Sequence, residues 1–348
     1  MFLFDMPLDQ LRTCMFPQKR EPDFEDFWNR VLARSGQQPI APAASPVAYS
    51  VPGVHVQDIS YAAFDGGRIT GWSITPAEVR PRPTLIFFHG YSGNKGYIAS
   101  YLMWALQGFT CLTFDVRGQL GDSTDLAEYP GGRYTGWMTS GILEPEKYYF
   151  TRCYVDTVRA IDFAHARAEV DAAHIGVTGC SQGGGLCLAA ASLDHRVKLC
   201  MAEVPGFCHF ARTLELTKAA PWTDLIVYFQ RRPQDIERAM RTLSYVELNN
   251  LTDRIQCPTL ISVGLQDELC VPSSIFSAYN RIAVPDKQID VFPYNGHEGA
   301  LNIENMIAWA RKYLMDAGRY GMESLKPPQP IDWDNLPKYI PGDKTIGI

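Results

Sequence analysis

The segment His174-Ile-Gly-Val-Thr-Gly-Cys-Ser-Gln-Gly-Gly-Gly185, running on through Leu186-Cys-Leu-Ala-Ala-Ala-Ser192, decides how the chain is read. Ile175 and Val177 are β-branched and suit a short buried strand, and the small apolar run after Gly185 suits a helix. Between them Gly179 and Gly183 flank Ser181 at two-residue distances, so the pattern predicts a strand, a sharp turn and a helix. A serine on such a turn has a strained backbone, and a Cβ at either flanking site would collide where strand and helix approach. Its hydroxyl is pushed outward, within reach of an ester carbonyl. A five-residue G-x-S-x-G match also arises by chance, so the assignment depends on partners elsewhere in the chain. In this kind of fold the order along the chain is serine, then aspartate or glutamate, then histidine.

Both partners are present. Pro258-Thr-Leu-Ile-Ser-Val-Gly264 reads as a buried strand, and Leu265-Gln-Asp-Glu-Leu-Cys-Val-Pro272 leaves its carboxyl end, with Pro272 opening the next helix. Asp267 has the placement of the acid; its neighbour Glu268 is expected to be solvated. Gln288-Ile-Asp-Val-Phe292 is the last strand, and Pro293-Tyr-Asn-Gly-His-Glu-Gly299 carries His297 at the carboxyl edge of the sheet. A lone histidine is more often an ordinary surface residue. Here three loops converge, and an imidazole oriented by a carboxylate is what a serine nucleophile requires. The expected set is Ser181, Asp267 and His297. His55, His165, His174, His195 and His209 lack a comparable position, and no H-E-x-x-H pattern accompanies His297-Glu298, so neither a metal nor another cofactor is expected.

Upstream, Thr84-Leu-Ile-Phe-Phe88 is an apolar run suited to a strand buried on both faces. The loop His89-Gly-Tyr-Ser-Gly93 that follows can turn a backbone N–H toward the nucleophile and supply half of an oxyanion hole. His89 precedes Ser181 and is read as a structural histidine under that loop. A helix over 97–106, stopped by Gly108, and a strand at Thr110–Phe114 complete a βαβ repeat. Residues 120–145 form a long irregular stretch, expected to wall the active site or to meet another subunit. Arg117, just before it, is expected to anchor the loop through nearby carboxylates such as Asp115 or Asp122. A long helix is expected over 146–168 and a strand over 197–202. Residues 206–250 read as a helical insertion where a lid would sit. Its aromatics Trp222, Tyr228 and Phe229 either line an acyl pocket or pack the lid, and their spacing does not separate the two. At the N-terminal side, Phe24, Phe27, Trp28, Val31 and Leu32 give a helix one apolar face. Ala41–Pro46 reads as a linker, and the runs 54–61 and 68–74 as an antiparallel hairpin at the mixed edge of the sheet.

The 348 residues are 46% hydrophobic and 20% charged, which is a globular composition with a large core. A net charge of −6 provides no basic field for a nucleic-acid backbone. Nine cysteines are scattered without a C-x-x-C pair, several of them in apolar runs, as buried thiols in a reducing compartment would be. Asp5 and Asp9 stand where a signal peptide would have a basic lead and an apolar run, and no stretch approaches the roughly 18 apolar residues of a membrane span. The expectation is a cytoplasmic protein.

Arg117-Gly-Gln119, Gly179-Cys-Ser-Gln-Gly183 and His297-Glu298 stand in the order of three signatures of one family. With Gly141-Ile-Leu-Glu-Pro-Glu-Lys-Tyr-Tyr149 and Phe4-Asp-Met-Pro-Leu-Asp-Gln-Leu11, they make residues 1–318 resemble the carbohydrate esterases that include acetyl xylan esterases and cephalosporin C deacetylases. Two positions depart from the common pattern: Cys180 within the elbow and Leu120 after Arg-Gly-Gln. The resemblance implies an α/β-hydrolase fold, with a mostly parallel central sheet. It implies Ser181 as nucleophile, His297 as base and Asp267 as acid, backbone N–H groups of Tyr91 and Gln182 as the oxyanion hole, and Arg117, Gln119 and Glu298 as structural support. It further implies removal of acetyl groups from sugars, xylooligosaccharides and cephalosporin C-like esters, and a hexameric homo-oligomer. The expected organisation is an N-terminal helical extension and linker at 1–50, a catalytic domain at 51–318 with the insertion at 206–250, and a tail at 319–348. The competing readings are a peptidase or lactone hydrolase on the same fold, or a binding protein without catalysis.

Overall fold

The alternation of apolar residues in the strands settles how this chain layers. In Leu85-Ile-Phe-Phe88, Leu85 packs into one hydrophobic cluster and Ile86 and Phe88 into another, because successive side chains of a strand point to opposite faces. The sheet is therefore covered on both sides. In the computed structural model, which describes residues 4–78 and 80–315, the strands are β1 (Ala43–Pro46), β2 (Val54–Ala62), β3 (Arg68–Pro76), β4 (Arg82–Phe88), β5 (Thr110–Phe114), β6 (Val170–Cys180), β7 (Leu199–Glu203), β8 (Thr259–Gly264) and β9 (Lys287–Phe292). The helices are α1 (Leu8–Leu11), α2 (Phe24–Gly36), α3 (Leu102–Leu106), α4 (Tyr149–His165), α5 (Gln182–Leu193), α6 (Phe210–Leu216), α7 (Trp222–Arg231), α8 (Ile236–Val246), α9 (Pro272–Arg281) and α10 (Ile303–Leu314).

The strands form one sheet in the order β1-β2-β3-β5-β4-β6-β7-β8-β9. From β5 onward every neighbouring pair is parallel, and β1, β2 and β3 add an antiparallel edge. The strand order reverses at β4, which has β5 on one side and β6 on the other. Loops leaving the carboxyl ends of β4 and β6 consequently diverge from a common crevice, the usual place for a ligand in such a sheet. Trp104, Met306, Trp309 and Leu314 of α3 and α10 cover one face. Residues of α4, α5 and α9 belong to the cluster on the other, joined by α2 and α8 further out.

Three expectations change. Ala43–Pro46 is not a linker: it pairs antiparallel with β2, from Ala43 opposite Ser60 to Pro46 opposite Gln57. A Pro is tolerated there because the outer side of an edge strand has no neighbour that needs its missing N–H. The 97–106 helix is a 3₁₀ turn (Ile98–Tyr101) running into α3, and α4 starts at Tyr149 after a separate 3₁₀ turn at Pro145–Lys147. The apolar face of α2 is spent within the chain. Trp28 Nε1 donates to the Tyr245 carbonyl at 3.0 Å, and Phe27 lies 4.3 Å from the Tyr245 ring. Residues 319–348, the expected tail, lie outside the described residues.

Candidate active site

Ser181 follows β6 directly and immediately precedes α5, with φ of 61° and ψ of −121°. A non-glycine residue at positive φ is costly, and its persistence here marks a site where the surroundings force the turn. Those surroundings are visible. A Cβ on Gly179 would lie 2.8 Å from the Gly183 carbonyl carbon, and one on Gly183 would lie 2.7 Å from that of Phe88. Only glycines allow β4, β6 and the first turn of α5 to come this close.

His297 sits after β9 and Asp267 after β8, and the structure joins both to Ser181. His297 Nε2 is 2.8 Å from Ser181 Oγ, and His297 Nδ1 is 2.8 Å from Asp267 Oδ2. Asp267 is fully buried, and its other oxygen accepts the backbone N–H groups of Leu269 and Cys270, each at 2.8 Å. A carboxylate so held can only receive a proton donor from the imidazole, which places the hydrogen on Nδ1 and leaves the Nε2 lone pair facing the serine. Glu268 is exposed and takes no part. His89 is structural, as expected. Its Nδ1 lies 2.7 Å from the Gly90 carbonyl and its Nε2 accepts the Val116 N–H at 2.8 Å, while burial pushes its pKa down and keeps it neutral.

Tyr91 and Gln182 line the same pocket as Ser181 and His297. Gln182 is the first residue of α5, so its N–H has no acceptor one turn back within the helix and is free to face a ligand. The side chains of Gln119 and Gln182 form a reciprocal amide pair, with N···O distances of 2.9 and 3.2 Å. Gln119 Oε1 also accepts the Ser92 N–H at 3.0 Å, tying the loop after β4 to the elbow. Glu298 is exposed and braces the His297 loop by accepting from Asn295 Nδ2 at 3.0 Å and the Gly296 N–H at 3.3 Å.

Arg117 anchors its loop, with partners other than those expected. It is fully buried and forks onto Asp156 at 2.6 and 2.9 Å, and it also reaches Asp65 at 2.5 Å and Asp125 at 3.3 Å. Asp115 is already occupied by the N–H groups of Lys95 and Asp122 and by Thr70 Oγ1, and Asp122 pairs with Lys95 Nζ at 2.7 Å. One further support escaped the sequence reading. Glu203, at the end of β7, accepts the Ala300 N–H through its carboxylate and the Ser181 N–H through its carbonyl, and so links the histidine loop to the elbow. Its only signal in the sequence is a lone acid closing the apolar strand Leu199-Cys-Met-Ala-Glu203.

The pocket has a volume of about 640 Å³. Its walls come from the loop after β4, from Thr135, Gly136 and Trp137 of the long loop, and from Phe207, Ala220, Pro221, Trp222 and Asp224 of the insertion. Trp222 lines it, whereas Tyr228 and Phe229 pack the insertion and are absent from its lining. Asp267, Cys270 and His297 present ligand atoms within 4.8 Å of one another, a separation that could hold a metal ion. The same imidazole nitrogens are engaged with Ser181 and Asp267, and burial pushes the Cys270 thiol up, away from the thiolate a metal would need. The donor set fits acyl transfer better than metal ligation.

A family model described as acetyl xylan esterase matches residues 1–313. Acetyl xylan esterase from Paenibacillus sp. R4 superimposes with a TM-score of 0.86 at 42% identity, covering 89% of this chain and 100% of that one. Acetyl xylan esterase 1 from Thermoanaerobacterium sp. JW/SL YS485 gives 0.85 at 32% identity, covering 90% and 100%. Acetyl esterase Axe7A of Xylanibacter ruminicola is 26% identical over 310 residues, which are 85% of this chain and 68% of that protein.

Proposed function

Because the chain belongs to the acetyl xylan esterase family and has an α/β-hydrolase fold, we propose that Ser181 is its nucleophile, His297 its general base and acid, and Asp267 the carboxylate that orients His297. The protein is a serine esterase that removes acetyl groups from acetylated sugars. The observation that carries the residue assignment is the unbroken hydrogen-bond chain from Asp267 through His297 to Ser181.

Ser181 Oγ attacks the acetyl carbonyl as its proton passes to His297 Nε2. The negative charge that develops on the carbonyl oxygen is met by the N–H groups of Tyr91 and Gln182, fixed in advance by the Gln119–Gln182 pair. Collapse breaks the bond to the sugar oxygen, which takes the proton from His297 and leaves acetyl-Ser181. Water then attacks this ester and gives a proton to His297, which passes it to Ser181 Oγ as the acyl bond breaks and acetate departs.

The enzyme's substrates extend to acetylated xylooligosaccharides and cephalosporin C-like esters and its compartment is the cytoplasm; the nine unpaired thiols support a reducing compartment. The catalytic unit is residues 51–318, with the insertion at 206–250 contributing Phe207 and Trp222 to the pocket wall, and the 1–50 extension docks through Trp28 of α2 on Tyr245 and Tyr154. Leu120, Leu126 and Tyr134 expose apolar surface on the long loop, as do Met103 and Leu106 on α3, which supports a homo-oligomer. Six is the number the family resemblance implies, and a monomer mass by light scattering at high concentration would reject it. Phe207, Trp222, Leu269 and Cys270 line the pocket together with Ser181, and this apolar lining supports an acyl side that takes an acetyl group. The test is kcat/KM for acetyl to octanoyl esters of one alcohol, with Ser181→Ala as control. A steady fall beyond acetyl is expected, because the acyl side has no room for further methylenes; one that fitted would instead add about 1–3 kcal/mol in favour of the longer chain. A maximum at butanoyl or longer would overturn the acetyl preference, and normal turnover by S181A would overturn the nucleophile.

A further inference from the structure

One side of the pocket has chemistry that the acyl-transfer steps do not use. Asp224 stands in the first turn of α7 and lines the pocket beside Thr135, Gly136, Trp137 and Trp222. Its Oδ1 is 3.2 Å from Thr135 Oγ1, which donates to it, and no lysine or arginine lines this pocket among the described residues. A carboxylate offers about four lone-pair sites, so most of this one's accepting capacity is unspent. Burial pushes the Asp224 carboxyl above its ordinary value, and only the Thr135 hydrogen bond opposes the shift.

The position is built from three separate segments. Gly136, at φ of +68°, passes so tightly between Asp224 and Tyr91 that a Cβ there would lie 2.6 Å from Asp224 Oδ2 and 2.6 Å from Tyr91 Oη. Tyr91 Oη accepts the Trp137 N–H at 2.9 Å, and the two rings meet edge to face at 5.3 Å. The long loop is thus clamped between the segment carrying the Tyr91 N–H and the helix carrying Asp224. An acid in a first helical turn is favoured by the helix dipole. That does not explain why it leans on Thr135, 89 residues away in sequence, at the wall of the Ser181 pocket.

We propose that Asp224, with Thr135 and the Trp137 ring, is a subsite for the alcohol part of the substrate, and that it selects uncharged, hydroxyl-rich alcohols over anionic ones. The inference rests on Ser181 being the reacting centre. Sugar hydroxyls can donate to the open carboxylate oxygens, a charge-assisted bond stronger than a neutral one. An anionic group brought to the same place meets a like charge in a pocket with no cation to compensate it. An acetylated cephalosporin, whose ring system carries a carboxylate, is therefore a poorer substrate than a neutral sugar acetate.

The test compares two monoacetates that share a pyranose ring and keep their remaining hydroxyls free, methyl 3-O-acetyl-β-xylopyranoside and methyl 3-O-acetyl-β-glucopyranosiduronic acid, on wild type, Asp224→Asn and Asp224→Ala. Wild type is expected to favour the neutral ester in kcat/KM by about tenfold or more, with the preference shrinking as salt is added. Both variants should reduce that ratio by about tenfold, the size of a lost charged hydrogen bond. Structural damage lowers both rates alike and leaves the ratio unchanged, so an unchanged ratio in both variants overturns the proposal. Failure of the underlying esterase reading has a different signature: S181A would still turn over both esters.

Discussion

Replacing Asp267 by asparagine should abolish most activity while leaving the fold in place, and the geometry says why. Asp267 Oδ1 holds the N–H groups of Leu269 and Cys270, and Oδ2 faces His297 Nδ1, all at 2.8 Å. The amide can be oriented in two ways. With its oxygen on the two backbone donors, its NH₂ points at His297 Nδ1 and donates. The imidazole must then carry its proton on Nε2, where it cannot accept one from Ser181. With the amide reversed, the correct tautomer survives, but two buried N–H groups face an NH₂ and lose their acceptor. Each orphaned donor costs about 1–3 kcal/mol, so the active orientation lies about 2–6 kcal/mol above the inactive one. At about 1.4 kcal/mol per factor of ten, this reduces the competent fraction by roughly 30-fold to 10⁴-fold. The upper end matches the loss of about 10⁴ that the same replacement causes in a serine protease with this kind of triad. The assay is kcat on p-nitrophenyl acetate, alongside a thermal melt to establish folding. A folded D267N with more than a tenth of wild-type kcat would refute the reasoning, as would a comparable loss on replacing the exposed Glu268.

Gln119→Leu removes the acceptor for the Ser92 N–H and the amide pair with Gln182. As a positioning residue it should lower kcat by about ten- to a hundredfold, less than a lost oxyanion donor, and change KM little; a raised KM at unchanged kcat would contradict this. Glu247 is buried under α6, where it accepts the Phe210 N–H at 2.7 Å, and burial raises its carboxyl from 4.5 to about 7. It faces His209 at 4.0 Å, with Lys19 and Arg281 nearby; burial holds His209 down at about 4, so the imidazole is neutral from pH 5 to 8. The unfolded chain releases the Glu247 proton first, so stability falls as pH rises from 4.5 to about 7. At about 1.4 kcal/mol per tenfold in proton affinity, the full loss is about 3 kcal/mol. Glu247→Gln keeps an acceptor for Phe210 and should gain stability over wild type at pH 8 but not at pH 4.5. Equal denaturant midpoints for the two proteins at pH 8 would count against the assignment.

Much of the site was legible because its signals are local. Gly179-Cys-Ser-Gln-Gly183 declares a tight turn by spacing alone, since no residue with a Cβ could occupy its outer positions. Asp267 and His297 were legible because each follows an apolar strand run, and a parallel sheet brings the carboxyl ends of such strands to one edge. What joins distant segments was not legible. Arg117 offered two carboxylates close in sequence, yet its partners are Asp65 and Asp156, 52 and 39 residues away, together with Asp125. Ala43–Pro46 has the composition of a linker and becomes a strand only because β2 offers it an unpaired edge.

By itself, then, the sequence determined most of the elements, their order and the three side chains proposed to react, since strand period, turn sterics and serine-acid-histidine order are all written along the chain. The tertiary structure alone decided the 2.8 Å contacts that join those side chains, the Glu203 brace beneath them and the placing of Asp224 beside Thr135. The physical reason is range: turn and strand preferences act over a few residues, whereas hydrogen-bond geometry across a pocket depends on how whole elements pack.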